Sequence, residues 1–538
     1  MIKISKIETF KNNLENCENI NLIIGPNNSG KTVFLHEIFR HASEVMVYNN
    51  AKWINRLFVK SENIRSLMEN LVPKAFKVDN FESIKDIRDT GYKLFNQKGN
   101  IWNQRVFSEC NQLTEGELDY EITKTSTRGN SKRHLWIFIL SSLIVHEGCS
   151  NRLSGPFTTN IDNLLSDQKG NILNYIFENR KILYEINKNI KEVFGFEIGF
   201  DNLQQGNKHI RIIPKEKIAG KTYSHKTALE WQEKSSTIDQ QGDGIKAYMK
   251  LALSLLQPFK SIIFIDEPET YLHPPQCRSL GNLVSTLSKK ENKQLFVATH
   301  NTEFLRGVLS SGVSQIKIFY LKRDNNTFDY AIFNAKDIDK ILKSKSNLIN
   351  ERILNSFFYK KTILCEDEND RIFYEHASAL YLWDFFQDIN FVGLNGMQQV
   401  QTIFWKLRQL DLEVSIIVDI DFLLGPFPSE IEDMLLKQKF NTFKQSFNTL
   451  QDKRVLSKEN FKKLGKDHIK NKQSTLLPDL ERIIEGFTNY SIFIVPVGEL
   501  ESWTRNDIKG RNNIQNMLNV IQSKTKRSLK KFLKNILK

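Results

Sequence analysis

Long apolar runs are missing from this chain. The best, Leu135 to Val145, contains Ser141 and Ser142 and falls short of the ~18 apolar residues that a membrane span needs. The N-terminal MIKISKIETF lacks the apolar core of a secretory leader, so a cytoplasmic protein with no membrane partner is expected. Cysteine is scarce and scattered. Cys17, Cys110, Cys149, Cys277 and Cys365 form an odd set with no CxxC pair, which speaks against a disulfide framework or a zinc site and for a reducing compartment. No internal repeat and no Pro/Gly/Ser-rich linker breaks the sequence. What remains is ordinary globular composition, 40% hydrophobic and 26% charged over 538 residues. At ~100–200 residues per domain, that length allows about three domains.

Lys and Arg number 76 against 62 Asp and Glu, a net charge of +14. A basic excess suits a polyanionic partner, because each neutralised phosphate releases a counterion. A lysine-rich compositional bias accounts for it equally well.

The pattern along the chain is that of an α/β protein. Ile2 to Ile7 and Ile20 to Ile24 are β-branched strand runs, and a glycine loop and a helical run follow. Residues from about 41 to 230 read as mostly polar and helical, with a long helix over Asn171 to Lys191 and a strand over His209 to Pro214. From Gly242 to Phe319 helices alternate with buried strands. A second α/β stretch begins near Thr362, with strands at Thr362 to Cys365, Ile389 to Gly393, Val414 to Val418 and Ile492 to Val497. Helical segments between them predict a mostly parallel sheet, and the changed pattern places a domain junction near residue 345.

Gly25-Pro26-Asn27-Asn28-Ser29-Gly30-Lys31-Thr32 fits GxxxxGK[ST] in the right context, after a strand and before a helix. Such a loop wraps an anion with backbone N–H groups and offers it a helix N-terminus. Gly25, Asn28 and Gly30 shape the turn, Lys31 reaches the outer phosphates, and Thr32 binds Mg²⁺. Far downstream, the buried run Ser261 to Ile265 ends in Asp266-Glu267. Asp266 is expected on Mg²⁺ and Glu267 on the attacking water. The run Gln294 to Ala298 ends at Thr299-His300-Asn301, which places His300 near a γ-phosphate. Gly242 and Gly244, before a helix, make a second anion-binding N-terminus.

These residues, with IDEPETYLHPPQ and Gln241-Gly242-Asp243-Gly244, resemble the ABC-type ATPases of the SMC, Rad-fifty and OLD (overcoming lysogenisation defect) group. The resemblance implies paired heads that sandwich ATP, with Gly242 and Gly244 of one head touching the γ-phosphate held by the other. Gln241 stands where the transporter signature has serine, which lowers the transporter reading.

The C-terminal half places acids just past its strands, where open α/β sheets build sites. Glu366-Asp367-Glu368-Asn369-Asp370 follows the first strand, and a helical turn there puts Glu366 and Asp370 on one side. Asp419-Ile420-Asp421 follows the third, and strand alternation is expected to put both aspartates on one face. Gly498-Glu499-Leu500-Glu501 follows the fourth, with Lys509 beyond. A second DxD, Asp337-Ile338-Asp339, reads as a helix start with solvated acids, and an acidic turn such as 366–370 is commonly a helix N-cap. Converging carboxylates repel one another unless a hard cation such as Mg²⁺ or Mn²⁺ joins them, and such ions cut phosphodiesters.

The arrangement of E…DxD on alternating strands and helices resembles the TOPRIM domain. After an ABC-type head it resembles the OLD family, which includes the Gabija and retron-associated nucleases of phage defence. That resemblance implies metal ligands at Glu366, Asp370, Asp419, Asp421 and Glu501, and a transition-state lysine at Lys509. The family usually has Gly after the first Glu, where Asp367 stands here, and Asp tolerates a left-handed turn better than most residues.

The C-terminal Leu529, Phe532, Leu533, Ile536 and Leu537 share one helix face among lysines. This is either a terminal helix docked on the core or a strap for DNA.

The expected architecture is therefore an ABC-type ATPase head over 1–345, with a helical dimerisation insertion over about 41–230, followed by a TOPRIM α/β domain over 346–538. The expected activity is ATP-regulated, metal-dependent DNA cleavage, with ATP and Mg²⁺ or Mn²⁺ as cofactors. Partners implied are DNA, further copies of the chain, and a co-encoded defence protein or a retron reverse transcriptase with its RNA/DNA. The rival expectation is an ATP-driven clamp or sensor whose acids no longer cut.

Overall fold

The computed structural model describes residues 2–11, 13–43, 53–61, 94–95, 101–102, 119–123, 144–148, 153, 158–160, 173, 176, 180–200, 207–213, 235–257, 260–324, 327–342, 347–425, 437–505 and 513–537, and all structural statements concern these. The chain divides into two compact units, Met1–Lys336 and Asp337–Lys538. The sequence pattern places that junction slightly later, near residue 345.

In the first unit, Ile2–Thr9 (β1), Leu14–Asn16 (β2) and Ile20–Ile24 (β3) lead to the helix Lys31–Ser43 (α1). Ile54–Ser61 (β4) pairs with β1, the short pair Leu94–Phe95 (β5) and Ile101–Trp102 (β6) follows, and Asp119–Thr123 (β7) completes a four-stranded antiparallel sheet in the order β2-β1-β4-β7. Ile144–Glu147 (β8), Thr158–Asn160 (β9), helix Arg180–Phe194 (α2), Glu197–Phe200 (β10) and Asn207–Ile213 (β11) come next. After helix Asp243–Leu256 (α3), the strands Ile262–Asp266 (β12) and Gln294–Ala298 (β13) alternate with helices Pro274–Lys290 (α4) and Thr302–Ser310 (α5). The hairpin Ile316–Asp324 (β14) and Thr327–Asn334 (β15) ends the unit.

The main sheet has six strands in the order β15-β14-β3-β13-β12-β8, parallel except at the β15 edge. β3, β12 and β13 are buried along their whole lengths, which explains why they read as unbroken apolar runs. The Gln294 side chain helps to stitch the two sheets together. The Gln294 amide accepts from the Ile4 N–H at 2.8 Å and donates to the Ile4 carbonyl at 2.9 Å. The carboxylate of Glu37 on α1, buried, accepts from the N–H groups of Trp53 and Ile54 at 2.9 and 3.0 Å and fixes where β4 begins.

Where the segment 41–230 is described, it carries the strands β4 to β11 besides α2, which the helical reading does not anticipate there; the rest of the expected helical insertion lies outside the described residues. In INRLFVKS of β4, Ile54 and Leu57 are buried, and the apolar run Leu57-Phe58-Val59 is too short, among charged residues, to stand out in a polar stretch. The expected helix over 171–191 is present as α2, and most of 171–179 lies outside the described residues.

The second unit opens with helices Ala335–Leu342 (α6) and Asn347–Asn355 (α7), so Asp337 and Asp339 do lie in a helix start. Its sheet holds Lys361–Cys365 (β16), Ile389–Gly393 (β17), Val414–Val418 (β18) and Ile492–Ile494 (β19), all parallel, in the order β17-β16-β18-β19. Glu368–Tyr381 (α8) and Met397–Gln409 (α9) connect the first three strands. Lys437–Asp452 (α10), Lys458–Leu464 (α11), Lys466–Lys472 (α12) and Leu477–Thr488 (α13) lie between β18 and β19. Ile514–Ser523 (α14) and Arg527–Leu537 (α15) end the chain. α15 buries Leu529, Leu533, Ile536 and Leu537, and its Phe532 ring lies 5.4 Å from Trp503, so this helix docks on the core of its unit.

Candidate functional site

Register alone brings the first unit's sequence motifs together. β3, β13 and β12 are neighbours, with Ile23 opposite Ala298 and Ala298 opposite Asp266. The chain therefore leaves the sheet at Gly25, Thr299 and Glu267 on one level, the end where parallel sheets hold ligands. Gly25 sits at φ 150°, and a Cβ there would lie 2.3 Å from the Leu321 carbonyl oxygen. Asn28 sits at φ 63°, a left-handed position that Asn accepts readily. α1 begins at Lys31, so its first N–H groups have no partner within the helix and converge on the loop. Lys31 Nζ donates to the carbonyls of Gly25 and Pro26, both at 2.9 Å. Burial pulls its ammonium below the ordinary lysine value, and Glu269, Glu267 and Asp266 oppose that shift. The Ser29 hydroxyl is buried and has no hydrogen-bond partner among the described residues. An ammonium, a ring of N–H groups and an orphan hydroxyl around one turn fit a polyphosphate.

The Thr32 hydroxyl donates to the Asp266 carboxylate at 3.2 Å, so two oxygen donors meet where the sequence expects Mg²⁺. Glu267 adopts φ 52°, a left-handed conformation costly for a residue with a side chain and common at working sites. Its neighbour Glu269 is the residue that sequence reasoning missed. Only 7% exposed, its carboxylate accepts from the Thr299 hydroxyl and the His300 N–H, both at 2.9 Å. His300 Nδ1 lies 3.1 Å from Glu269 and 3.6 Å from Glu267. Burial raises the Glu269 pKa, against the hydrogen bonds from His300. Gly244 lies under the Tyr271 carbonyl, 2.7 Å from where a Cβ would stand, so the Gly242–Gly244 helix start packs on the loop after β12. Gly242 itself is exposed with open space around it.

In the second unit, β16 and β18 are adjacent although β17 intervenes in sequence, so the chain reverses direction across the sheet between them. That switch point is where ligands enter open α/β sheets. Glu366 follows β16 and Asp419 follows β18. Asp367 caps α8: it accepts from the Asp370 N–H at 2.9 Å, while the Asp370 carboxylate accepts from the Asp367 N–H at 3.2 Å. Asp367 is extended, at φ −136°, so the left-handed turn expected there is absent and the departure from glycine costs no backbone strain. The expected strand alternation of Asp419 and Asp421 is also not the geometry. β18 ends at Val418, and a 3₁₀ turn over Ile420–Leu424 buries Ile420 between two half-buried aspartates.

Electrostatics link these acids across the three strand ends. Burial first, then Asp370, Asp421 and Glu366, push the Asp419 carboxyl up to about 9. Burial, Asp367, Glu366 and Glu501 push Asp370 up to about 7. Glu366 is raised by burial and by Asp421, and Glu499 by burial and by Glu501. Basic side chains answer them, Arg505 pairing with Glu499 at 3.7 Å. Lys462 of α11, absent from the sequence expectations, pairs with Asp421 at 3.3 Å, and Asp421, Asp419 and Glu499 raise its pKa against the pull of its partial burial. Lys509 lies outside the described residues. The donor set, all carboxylate oxygen, fits a hard divalent cation in charge and in type. Among the described residues, however, no three His, Cys, Asp or Glu side chains stand close enough together to hold a metal ion.

The Old nuclease of Escherichia phage P2 is 25% identical over 266 residues, which cover 45% of this chain and 43% of that protein, so the chain spans less than half the length of this relative. Solved structures with similarity include an Smc head domain with an extended coiled coil, bound to the C-terminal domain of ScpA, from Pyrococcus furiosus (13% identity, 64% of this chain and 99% of that chain, TM-score 0.35). Another is the SMC head domain from Thermotoga maritima (14% identity, 62% of this chain and 97% of that chain, TM-score 0.28). The family model described as "AAA domain, putative AbiEii toxin, Type IV TA system" matches residues 20–306, which contain the phosphate loop, Asp266-Glu267 and His300. That match covers more than half of the sequence, and the chain belongs to this family, with an AAA-type ATPase domain in its first unit.

Proposed function

We propose that this chain is an ATP-regulated, divalent-metal-dependent nuclease of the OLD type, whose first unit hydrolyses ATP and whose second, read as a TOPRIM domain, cuts DNA. The observation that carries the reading is the gathering of Glu366, Asp370, Asp419 and Asp421 just past adjacent parallel strand ends, where burial first and mutual repulsion second raise the Asp419 carboxyl to about 9. Folding carboxylates against one another is unfavourable unless their shared charge is used. The resemblance to a protein named a nuclease supports the same reading.

In the first unit, Gly25, Asn28, Gly30 and Lys31 would hold the β- and γ-phosphates, and Thr32 with Asp266 would hold Mg²⁺. Glu267 would orient the attacking water. A proton on His300 Nδ1, shared with Glu269, leaves Nε2 for the γ-phosphate. Gly242 and Gly244 would face the nucleotide of a second copy, so hydrolysis would belong to paired heads, joined through the 41–230 segment. In the second unit, Glu366, Asp370, Asp419, Asp421 and Glu501 would draw together round Mg²⁺ or Mn²⁺. The ion, when bound, supplies Lewis acidity that lowers the pKa of water and stabilises charge on the leaving oxygen. Lys509 would support the transition state. A role in phage defence, in the cytoplasm and with a co-encoded partner, goes with this reading.

A second reading is an ATP-driven clamp or sensor that binds nucleic acid or a partner without cutting. It is favoured by the engagement of the Asp370 carboxylate in the α8 cap and by the spacing of the acids, no three of which stand ready for a metal among the described residues. Plasmid DNA incubated with Mg²⁺ or Mn²⁺, with and without ATP, separates the two. Cleavage by the native protein that is lost in both Glu366→Ala and Asp419→Ala supports the nuclease. Equal cleavage by native and variant proteins removes the site assignment, and no cleavage under any nucleotide condition favours the clamp.

A further inference from the structure

Beside the acidic group lies a concentration of the opposite charge. Residues 453–472 hold eight Lys or Arg and two acids, a local excess of six in a chain whose net charge is +14. The segment spans α11 and α12. Phe461, His468 and Ile469 are buried, and the Phe461 ring lies 5.0 Å from that of Phe447, so the apolar side of both helices is committed to the core. Lys458, Lys462, Lys463, Lys470 and Lys472 are left exposed. Lys463 pairs with Glu459 and Lys466 with Glu481. Lys458, Lys470 and Lys472 form no ion pair among the described residues.

This basic ridge is not free to drift from the acids. It is pinned to the loop after β19 by two glycines packed backbone to backbone. A Cβ on Gly465 would lie 2.4 Å from the Pro496 carbonyl oxygen, and one on Gly498 would lie 2.3 Å from the Lys462 carbonyl oxygen. Both have positive φ, 55° and 121°, which side chains resist. The Lys466 N–H donates to the Pro496 carbonyl at 3.0 Å, and the Ser502 hydroxyl donates to the Lys463 carbonyl at 2.7 Å. The Ile420 N–H donates to the Gly498 carbonyl at 3.1 Å, tying the same loop to the Asp419–Asp421 turn. Lys462 then reaches Asp421.

We propose that α11 and α12 form the seat for a nucleic-acid backbone, which their lysines hold beside the carboxylates, with Lys462 as the innermost cation. The inference rests on the second unit acting on a nucleic acid. Acids alone repel a phosphodiester, so a site built from Glu366, Asp370, Asp419 and Asp421 needs cations that bring the polyanion in before any metal chemistry. Lys458 and Lys462, four apart on one helix, lie on the same face with Cβ atoms about 6 Å apart. A nucleic-acid strand carries one phosphate per ~3.4 Å, so this pair spans about two phosphates.

The test is fluorescence anisotropy with labelled duplex DNA, single-stranded DNA and single-stranded RNA, in EDTA so that nothing is cut, across a salt series. The variant is Lys458→Glu/Lys470→Glu/Lys472→Glu, with Lys530→Glu/Lys531→Glu/Lys534→Glu on α15 as a control of equal charge change and the corresponding Gln substitutions as a milder set. The expected result is a loss of about tenfold or more in affinity for the ridge variant, with the log–log salt slope shallower by about 2–3 on the preferred strand form. The α15 control should bind within about twofold of the native protein. The three probes identify which nucleic acid is held. Unchanged affinity in the ridge variant, an equal loss in the α15 control, or no binding by the native protein overturns the proposal. Ridge-dependent binding by a native protein that cuts nothing when Mg²⁺ or Mn²⁺ replaces EDTA supports the proposal and defeats only the nuclease reading.

Discussion

Glu269 holds His300 twice, accepting from its backbone N–H at 2.9 Å and lying 3.1 Å from its Nδ1, while a third contact from the Thr299 hydroxyl completes the shell of a buried carboxylate. The acid from β12's loop thus orients the ring at the end of β13. A positioning role of this kind predicts a split in kinetics. Glu269→Gln should lower the ATPase kcat by about tenfold or more and leave KM for ATP nearly unchanged. Glu269→Asp should recover part of the rate, and the pH profile of kcat should change with the variant. An unchanged kcat in Glu269→Gln would mean that His300 does not act through it.

Nucleotide binding depends on the loop over α1. Lys31→Ala should abolish binding of a fluorescent ATP analogue, because no other ammonium bonds to the carbonyls of Gly25 and Pro26 among the described contacts. Thr32→Ala should weaken binding chiefly in the presence of Mg²⁺, since the Thr32–Asp266 pair offers oxygens to the cation rather than to the phosphate. Retained affinity in Lys31→Ala would remove the loop from the account.

The acidic group makes stability depend on pH in an unusual direction. An unfolded Asp titrates near ~3.9. In the folded chain Asp370 titrates at about 7 and Asp419 at about 9, so above the unfolded value the folded state binds protons that the unfolded state has lost. Their contribution to stability is fully present below the unfolded pKa and is lost as pH rises through about 7 and then about 9. Melting in EDTA should therefore show Tm falling between mildly acidic and alkaline pH, and Mn²⁺ should restore much of the loss. Asp419→Asn removes one repelling charge, so at alkaline pH without metal it should raise Tm, by about 2–4 °C if ~1 kcal/mol of repulsion is relieved. A Tm that is flat with pH and unmoved by the substitution would show that these carboxyls do not share one environment.

The glycine contact predicts a structural defect without chemistry. Gly498→Ala places a methyl group 2.3 Å from the Lys462 carbonyl oxygen on a backbone at φ 121°. It should cost about 2 kcal/mol or more in the melting of the second unit, since overpacking and a disfavoured φ act together. A native-like melting curve would separate α11 from the loop.

Sequence reading succeeded where chemistry and pattern are local. The phosphate loop is a contiguous motif, and the buried strands β3, β12, β13, β16, β17 and β18 are short, mostly apolar runs, as parallel strands covered on both faces read. It failed where the signal is non-local. Glu269 looks like any acid in IDEPETY, and only the folded chain shows it enclosed by Thr299 and His300. Lys462 is one lysine among many until Gly465 and Gly498 bring its helix against the acidic loop. Strands such as β4 hold only a three-residue apolar run, Leu57 to Val59, between charged and polar residues, too short a signal to mark a strand. Asp419 and Asp421 were paired for the wrong reason: a 3₁₀ turn after β18, not the pleat of a strand, sets them on either side of Ile420.

The central claim is that acids from separate strand ends gather round a shared divalent ion. Calorimetric titration of Mn²⁺ into the full chain, with ATP withheld, measures this directly. The account predicts binding by the native protein that is weakened by an order of magnitude or more (~tenfold) in Asp419→Asn and in Glu366→Gln. Native and variant proteins that take up Mn²⁺ alike, or a native protein that takes up none, would contradict it.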